Sequence, residues 1–379
     1  MRCPATTWRT AAAAWQAHVR PRRHLARTAA LVAAAVVAAA PSTAGARPKG
    51  DPWRAPARLA ETGLYSDFAA RTIDPQNLAY SPQYPLWSDG AEKRRWIFLP
   101  RGRAIDARDP ERWRFPVGTK LWKEFSWGRR VETRYLERTR EGWRYAAYAW
   151  RDDGSDAVLA SERGAATDQE VAPGKCHRIP SVEDCKSCHE GGRSEVLGFT
   201  ALQLSPDRDP LAPHREPLEP GMVTLRTLVE RGLLRHLPKA LLEEPPRIGA
   251  ATARGRAALG YLHANCSSCH DEVGPMASLG VSMFHSLAAR TPEDAPAIAA
   301  VGRPSAFQVT RRPGAKNAWI DPGSPSSSAV AVRMGSRDAA AQMPPVGTQV
   351  VDEAAVTLVR AWIEQDLAAA RATSRGPGR

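Results

Sequence analysis

The stretch KLWKEFSWGRRVETRYLERTREGWRYAAYAW, Lys120–Trp150, decides the fold of the front half of this 379-residue chain. Aromatic and β-branched residues crowd three runs in it, Lys120–Ser126, Arg130–Glu137 and Trp143–Trp150. Trp127-Gly128 and Glu141-Gly142 separate the runs, and short aromatic runs between turn residues predict antiparallel strands. Arg95–Leu99 adds a fourth run before Pro100-Arg101-Gly102, and Asp153-Gly154 closes the series. Seven of the twelve Trp lie between Trp87 and Trp150. In a sheet, Trp more often fills a core than forms a binding surface.

Outward from that sheet, composition sets limits. Hydrophobic residues make up 43% and charged residues 25%, the balance of a globular protein and not of a disordered, collagenous or multi-span membrane chain. The net charge of +13 includes six arginines, and no acid, in residues 1–46; the remainder carries +7. That mild excess argues against a nucleic-acid partner. Residues 1–46 themselves read as a signal peptide. Arg20, Arg22, Arg23 and Arg27 precede an apolar run, Thr28 to Ala40, and Ala44-Gly45-Ala46 offers a small-x-small cleavage site. A spanning helix needs about 20 apolar residues, so the expectation is export to the periplasm, cleavage near Ala46 and no membrane span afterwards.

The chemistry rests on a five-residue motif that occurs twice, Cys185-Lys186-Ser187-Cys188-His189 and Cys266-Ser267-Ser268-Cys269-His270. C-x-x-C-H is the attachment signature of a c-type haem. Two intervening residues set the thiols one helical turn apart, matching the two vinyl groups, and the next residue supplies the proximal imidazole. Zinc would want the two Cys pairs 15–20 residues apart, and a thioredoxin-like pair would want a βαβ setting. Neither is present in the sequence pattern, so two covalently attached haems are expected. Of the other cysteines, Cys3 leaves with the leader and Cys176 is left over as an inert thiol.

Four segments follow: the signal peptide 1–46, a Trp-rich β domain 47–172, a first haem segment 173–250 and a second haem domain 251–379. The fold class is multidomain α+β, an antiparallel β-rich N-terminal domain followed by two mostly α-helical segments. Ser181 with Asp184 predicts a capped turn entering Cys185. In the last segment Arg256–Asn265 reads as a helix, and Asp352 as the N-cap of another bearing Val356, Val359, Ile363 and Leu367. Met343-Pro344-Pro345 offers a soft thioether on an extended strand, which suits haem iron. Met334, Met276, Met283 and His285 are the alternatives. No Met-Pro follows the first motif, so its sixth ligand is left open, with His177, on a loop bracketed by Pro173 and Pro180, placed first ahead of Met222, His214 and His236. Asp152, Asp153 and Asp156 read as a solvated turn rather than a Ca²⁺ site.

Residues 251–370 resemble a small cytochrome c domain. The resemblance implies that the first and last helices cross, with Gly260 facing Trp362, and that the axial Met stands just before the last helix, at Met343. The order of parts also resembles a group of exported bacterial di-haem c-type cytochromes. The matching residues are Pro85-Leu86-Trp87-Ser88-Asp89-Gly90-Ala91, Ile179-Pro180-Ser181, Leu197-Gly198-Phe199, Ala258-Leu259-Gly260-Tyr261-Leu262, Pro322-Gly323-Ser324-Pro325 and Met343-Pro344-Pro345. The resemblance implies electron transfer in the periplasm between redox partner proteins. It makes the chain more a carrier than a catalyst. A haem subunit of an exported dehydrogenase is the alternative. A di-haem peroxidase ranks below both, since it usually spaces its motifs well over a hundred residues apart.

Overall fold

The computed structural model describes residues 53–289, 291–309 and 317–374. Residues 1–46, read above as a signal peptide with a cleavage site near Ala46, lie outside the described residues. The central element is a six-stranded antiparallel sheet of β3 (Leu78–Ala79), β4 (Glu92–Phe98), β6 (Lys120–Trp127), β7 (Arg129–Thr139), β8 (Gly142–Trp150) and β9 (Ala157–Leu159), in that spatial order. The runs read from the sequence are therefore strands, each extended by one to three residues at one or both ends, except that β4 stops at Phe98, one residue short of the run that ended at Leu99. Gly128, with φ +71°, makes the tight β6–β7 reversal that any side chain would strain. Two short strands, β1 (Tyr65–Asp67) and β2 (Thr72–Ile73), pair with each other, and β5 (Ile105–Asp106) pairs in parallel with β12 (Leu234–Arg235).

The sheet buries both faces. On one, Trp96, Trp122 and Tyr135 stand directly opposite one another across β4, β6 and β7. On the other, Ile97, Leu121, Leu136 and Tyr145 join Val196, Phe199, Leu225 and Leu228 in one apolar core. The Trp-rich region thus shares its core with residues of the segment that follows it. At 152–156 Asp152 pairs with Arg129 at 2.9 Å and Asp153 accepts from Ser155 N, as in a solvated turn, but Asp156 is buried and pairs with Arg58 at 3.4 Å.

Residues 173–250 differ from the expectation of a mostly helical segment. A hairpin, β10 (Ala165–Ala172) and β11 (Lys175–Ile179), turns at Pro173-Gly174, with Gly174 at φ +71°. Pro then Gly is the pair that a two-residue reversal takes, and it puts His177 on a strand instead of a loop. The helices here are short: α1 (Val182–His189), α2 (Leu225–Glu230) and α3 (Ala240–Glu243). Pro206, Pro210, Pro213, Pro217 and Pro220 keep the chain between α1 and α2 irregular.

Beyond 251 helices frame the segment without filling it. α4 (Ala253–Cys266), capped by Thr252, covers the helix expected at 256–265. After α5 (Ala329–Met334), α6 (Glu353–Ala361) starts at Asp352, whose side chain accepts from Ala355 N, and runs through a π turn, Trp362–Asp366, into α7 (Leu367–Ser374). α4 packs against α6 and the π turn, burying Ala258, Leu262, Val359, Trp362 and Ile363. The small residue facing Trp362 is Gly255, however: a Cβ there would lie 3.4 Å from the indole Nε1. Gly260 instead faces Tyr84, whose ring fills the space a side chain would occupy.

Candidate functional site

The first C-x-x-C-H forms most of α1. Asp184 N donates to Ser181 Oγ at 3.0 Å and Ser181 N donates back to Asp184 Oδ2 at 2.9 Å, the capping box expected from the sequence. Cys185 and Cys188, three residues apart, share one face of this helix. His189 closes it, its ring 5.5 Å from that of Tyr145 on β8. Nδ1 of His189 lies 2.7 Å from the Glu195 carbonyl oxygen. A carbonyl only accepts, so Nδ1 carries the hydrogen and Nε2 keeps its lone pair. Burial pushes the His189 pKa down to about 4, which leaves the ring neutral near pH 7.

The second motif begins at the last residue of α4. Cys269 N and His270 N both donate to Cys266 O, at 3.2 and 2.9 Å, and wrap the motif into a turn. His270 is 8% exposed and meets Trp319 edge to face at 5.7 Å. Burial lowers its pKa to about 4 as well, and its Nδ1 has no hydrogen-bond partner among the described residues.

The two motifs meet. The Cys269 thiol donates to Ser187 O at 3.9 Å and neighbours the Cys188 thiol. Each thiol shifts the other, Cys188 down and Cys269 up, while burial raises Cys185 to about 11 and Cys266 to about 12. The Asp271 carboxylate ties the loops behind the motifs together by accepting from Arg193 N at 3.0 Å and from Val273 N at 2.7 Å. Arg193 also pairs with Glu272 and lies 3.6 Å from Glu111. Cys185, Cys188, Cys266 and Cys269 are all free thiols; Cys176, expected to be a lone thiol, is not one.

Met343 is brought to the second motif. It lines one small cavity with Tyr261, Asn265, Cys266, Met334 and Arg337. Its backbone is held to the end of α5 by Met343 N to Arg333 O, 3.0 Å, and by Arg333 Nε to Ala341 O, 2.9 Å. Met334 lines the same cavity from α5. The backbones of the other two Met candidates are bonded to the second motif itself, Met283 N to His270 O at 2.7 Å and Met276 N to Cys269 O at 3.1 Å, while His285 is buried with its Nε2 accepting from Gly249 N.

The Trp87-Ser88-Asp89-Gly90 stretch, which carried only a resemblance in the sequence, has a structural task here. Asp89, 5% exposed and at φ +52°, accepts from Gln349 N at 2.8 Å and Val350 N at 2.9 Å. Trp87 Nε1 donates to Val350 O, and Trp87 N donates to the side chain of Asn265, the residue before Cys266. The stretch therefore joins the chain following Met343-Pro344-Pro345 to the helix that delivers Cys266. Its signal in the sequence was Asp-Gly with a neighbouring Trp, which named a turn but not its partners.

The three histidine candidates for the first motif's sixth ligand are engaged by carboxylates, whereas Met222 is tied, among the described residues, only through its backbone N to Glu219 O. His177 Nε2 lies 2.7 Å from Glu132 Oε2, with its ring against Trp127. His214 Nε2 lies 2.8 Å from Asp352, and His236 Nδ1 3.0 Å from Asp106. Sequence reasoning passed over the sheet face beneath the first motif. Arg95, Lys123 and Arg134 stand directly opposite one another on β4, β6 and β7. Arg134 lies within electrostatic reach of Cys185 and Cys188, and Lys123 of His189. Charged residues at alternate strand positions, Lys93 with Arg95 and Glu132 with Arg134, were the available signal.

Chemically, the site offers two pairs of free thiols at one-turn spacing, two neutral imidazoles beside them, His270 buried and His189 half-buried, and a thioether next to the second pair. Among the described residues no group of three or more His, Cys, Asp or Glu is arranged to hold a bare metal ion. The residues do fit a group bound through thioethers and one imidazole nitrogen. His189 has the fixed tautomer that a proximal ligand needs, with the Glu195 carbonyl holding its Nδ1–H. No helix among the described residues is long and apolar enough to cross a membrane. No family model matches the chain, and no curated protein and no solved structure matches it.

Proposed function

We propose that this chain is an exported, periplasmic electron carrier that holds two c-type haems at the two C-x-x-C-H motifs. Haem iron would supply the one-electron chemistry. The observation that carries the reading is the state of the motif residues: four free thiols, and a His189 whose Nδ1 is fixed on the Glu195 carbonyl so that Nε2 is available. Each thiol would add its S–H across one vinyl double bond, the sulfur to one carbon and the hydrogen to the other, with no oxidant required. Cys185 and Cys188 would hold the first group, and His189 would supply a nitrogen to its iron. Cys266 and Cys269 would hold the second, with His270 to supply the nitrogen and Met343 the thioether. The contact between Cys188 and Cys269 supports direct exchange between the two sites, and the sheet and Asp89 act as scaffold.

Acid–acetone extraction of protein matured with a haem-attachment system should leave haem on the chain, and the pyridine haemochrome should count two per polypeptide. One or none overturns the reading.

A further inference from the structure

The inner face of the sheet carries a charge pattern that the fold alone does not call for. Strand alternation sends Lys93 and Arg95 of β4, Lys123 of β6 and Glu132 and Arg134 of β7 to the same face. The register sets Arg95, Lys123 and Arg134 side by side in one cross-strand row, and like charges placed directly opposite are destabilising. Three of the four cations are answered. Arg95 and Lys93, whose side chains are 3% and 4% exposed, pair with Glu216, and Arg134 pairs with Glu132 at 2.7 Å. Lys123 makes no salt bridge and no hydrogen bond among the described residues; it lies 4.8 Å from the Phe125 ring, Glu216 is only within electrostatic reach, and burial beside Arg95, Lys93 and Arg134 pushes its ammonium pKa well down. Four basic residues face two carboxylates, so the row carries an excess of two positive charges when every basic group is protonated.

We propose that this row is a carboxylate-binding wall for the two propionates of the haem tethered at Cys185 and Cys188, with Lys123 as the residue that pairs with them. The proposal rests on the haem reading above. A c-type haem is held at its vinyl edge, and its propionates leave from the opposite edge. The row is oriented accordingly. α1 lies on β8, where the row's next member is the small residue Ala147. Arg134, one strand further, is the cation nearest the thiols. Lys123 is one strand beyond that, about 4.8 Å away at sheet spacing. The two propionates carry the two negative charges that the row lacks. The β domain would then be a wall of the first haem site.

The test uses haem-loaded protein. Haem is counted first: fewer than two per chain removes the function reading and this inference with it. With two present, the potentials of both waves are measured in wild type, Lys123→Met, Lys123→Gln and Lys123→Arg. A cation beside the propionates favours the ferrous state. Lys123→Met and Lys123→Gln should therefore lower one wave by at least a tenfold change in its reduction equilibrium, about 59 mV for one electron. Lys123→Arg should restore that wave, and the other should stay in place. Denaturant unfolding supplies the second readout. In a Cys185→Ala/Cys188→Ala background lacking the first haem, Lys123→Met should stabilise the chain by relieving cation crowding; in loaded protein it should destabilise it. Two haems with both waves unmoved, or a stability change of the same sign in both backgrounds, overturns the wall. A wave that responds to added phosphate only when Lys123 is present also overturns it, because the site would then be open to solvent anions.

Discussion

Replacing Gly260 with Ala tests how the front of the chain is locked to the helix that delivers Cys266. A Cβ on Gly260 would stand 2.5 Å from Tyr84 Cδ1 and closer still to Cε1 and Cζ, where carbon atoms need about 3.5–4.0 Å. The ring would have to retreat by about 1 Å or more. It has little room, since Tyr84 is 2% exposed, its OH donates to Asp209 at 3.0 Å and its N donates to Gln203 Oε1 at 3.0 Å. Helix propensity alone would favour Ala by about 1 kcal/mol. Overpacking costs about 1–3 kcal/mol, and displacing a buried hydroxyl from its partner about 1–3 more. The net expectation is a loss of about 1–5 kcal/mol. Gly255→Ala is the internal control, because its Cβ would meet Trp362 at 3.4–3.5 Å and Thr252 Oγ1 at 3.1 Å. There the propensity gain and the mild crowding nearly offset each other. Urea unfolding of both variants decides the matter. If Gly260→Ala is as stable as Gly255→Ala, Tyr84 does not pack on Gly260 and the helix contact lies elsewhere.

Burial raises the Glu132 pKa, but Arg134 and His177 outweigh it and hold it at about 2, below its ordinary 4.5. A depressed carboxylate contributes stability that is complete above about pH 4.5 and is lost as pH falls toward 2, up to about 3 kcal/mol; Glu132→Gln should flatten that part of the pH–stability curve, and an unchanged slope refutes the assignment. Asp89→Ala should leave the Gln349 and Val350 N–H groups without acceptors, at about 1–3 kcal/mol each, and should weaken the long-wavelength iron–sulfur band if that clamp positions Met343. Met343→Ala should abolish the same band and open a site for CO. If Met334→Ala abolishes it instead, the ligand is Met334.

What the sequence disclosed was local. Strand runs between Gly-bearing turns, Ser181 with Asp184 and Asp352 before an apolar helical face are each signalled within a few residues, and the structure places strands, a capping box and a helix cap at those positions. What it withheld was pairing across distance. Gly260 and Gly255 lie on the same helix, and no spacing says which one meets an indole and which a tyrosine from the sheet side. His177 was read as a loop residue between Pro173 and Pro180. The Pro173-Gly174 reversal and alternating burial along 165–172 made it a strand residue held by Glu132. The mostly helical reading of 173–250 failed because five prolines between 206 and 220 leave the chain no helix to form.

The meeting of Ser187 and Cys188 with Cys269 also governs timing. Ser187 and Cys269 are 82 positions apart. Closing a loop of that length costs about 4 kcal/mol in chain entropy before any contact across it contributes. A chain emerging from its N-terminus has the first cysteine pair in hand well before the second exists. Long-range closures of this kind belong late in folding. Until the Asp271–Arg193 tie forms, both pairs are exposed to whatever acts on nascent chains; afterwards Cys188 and Cys269 shield each other. Pulsed thiol labelling during refolding would therefore read the junction as a clock, with these two positions going silent together and last.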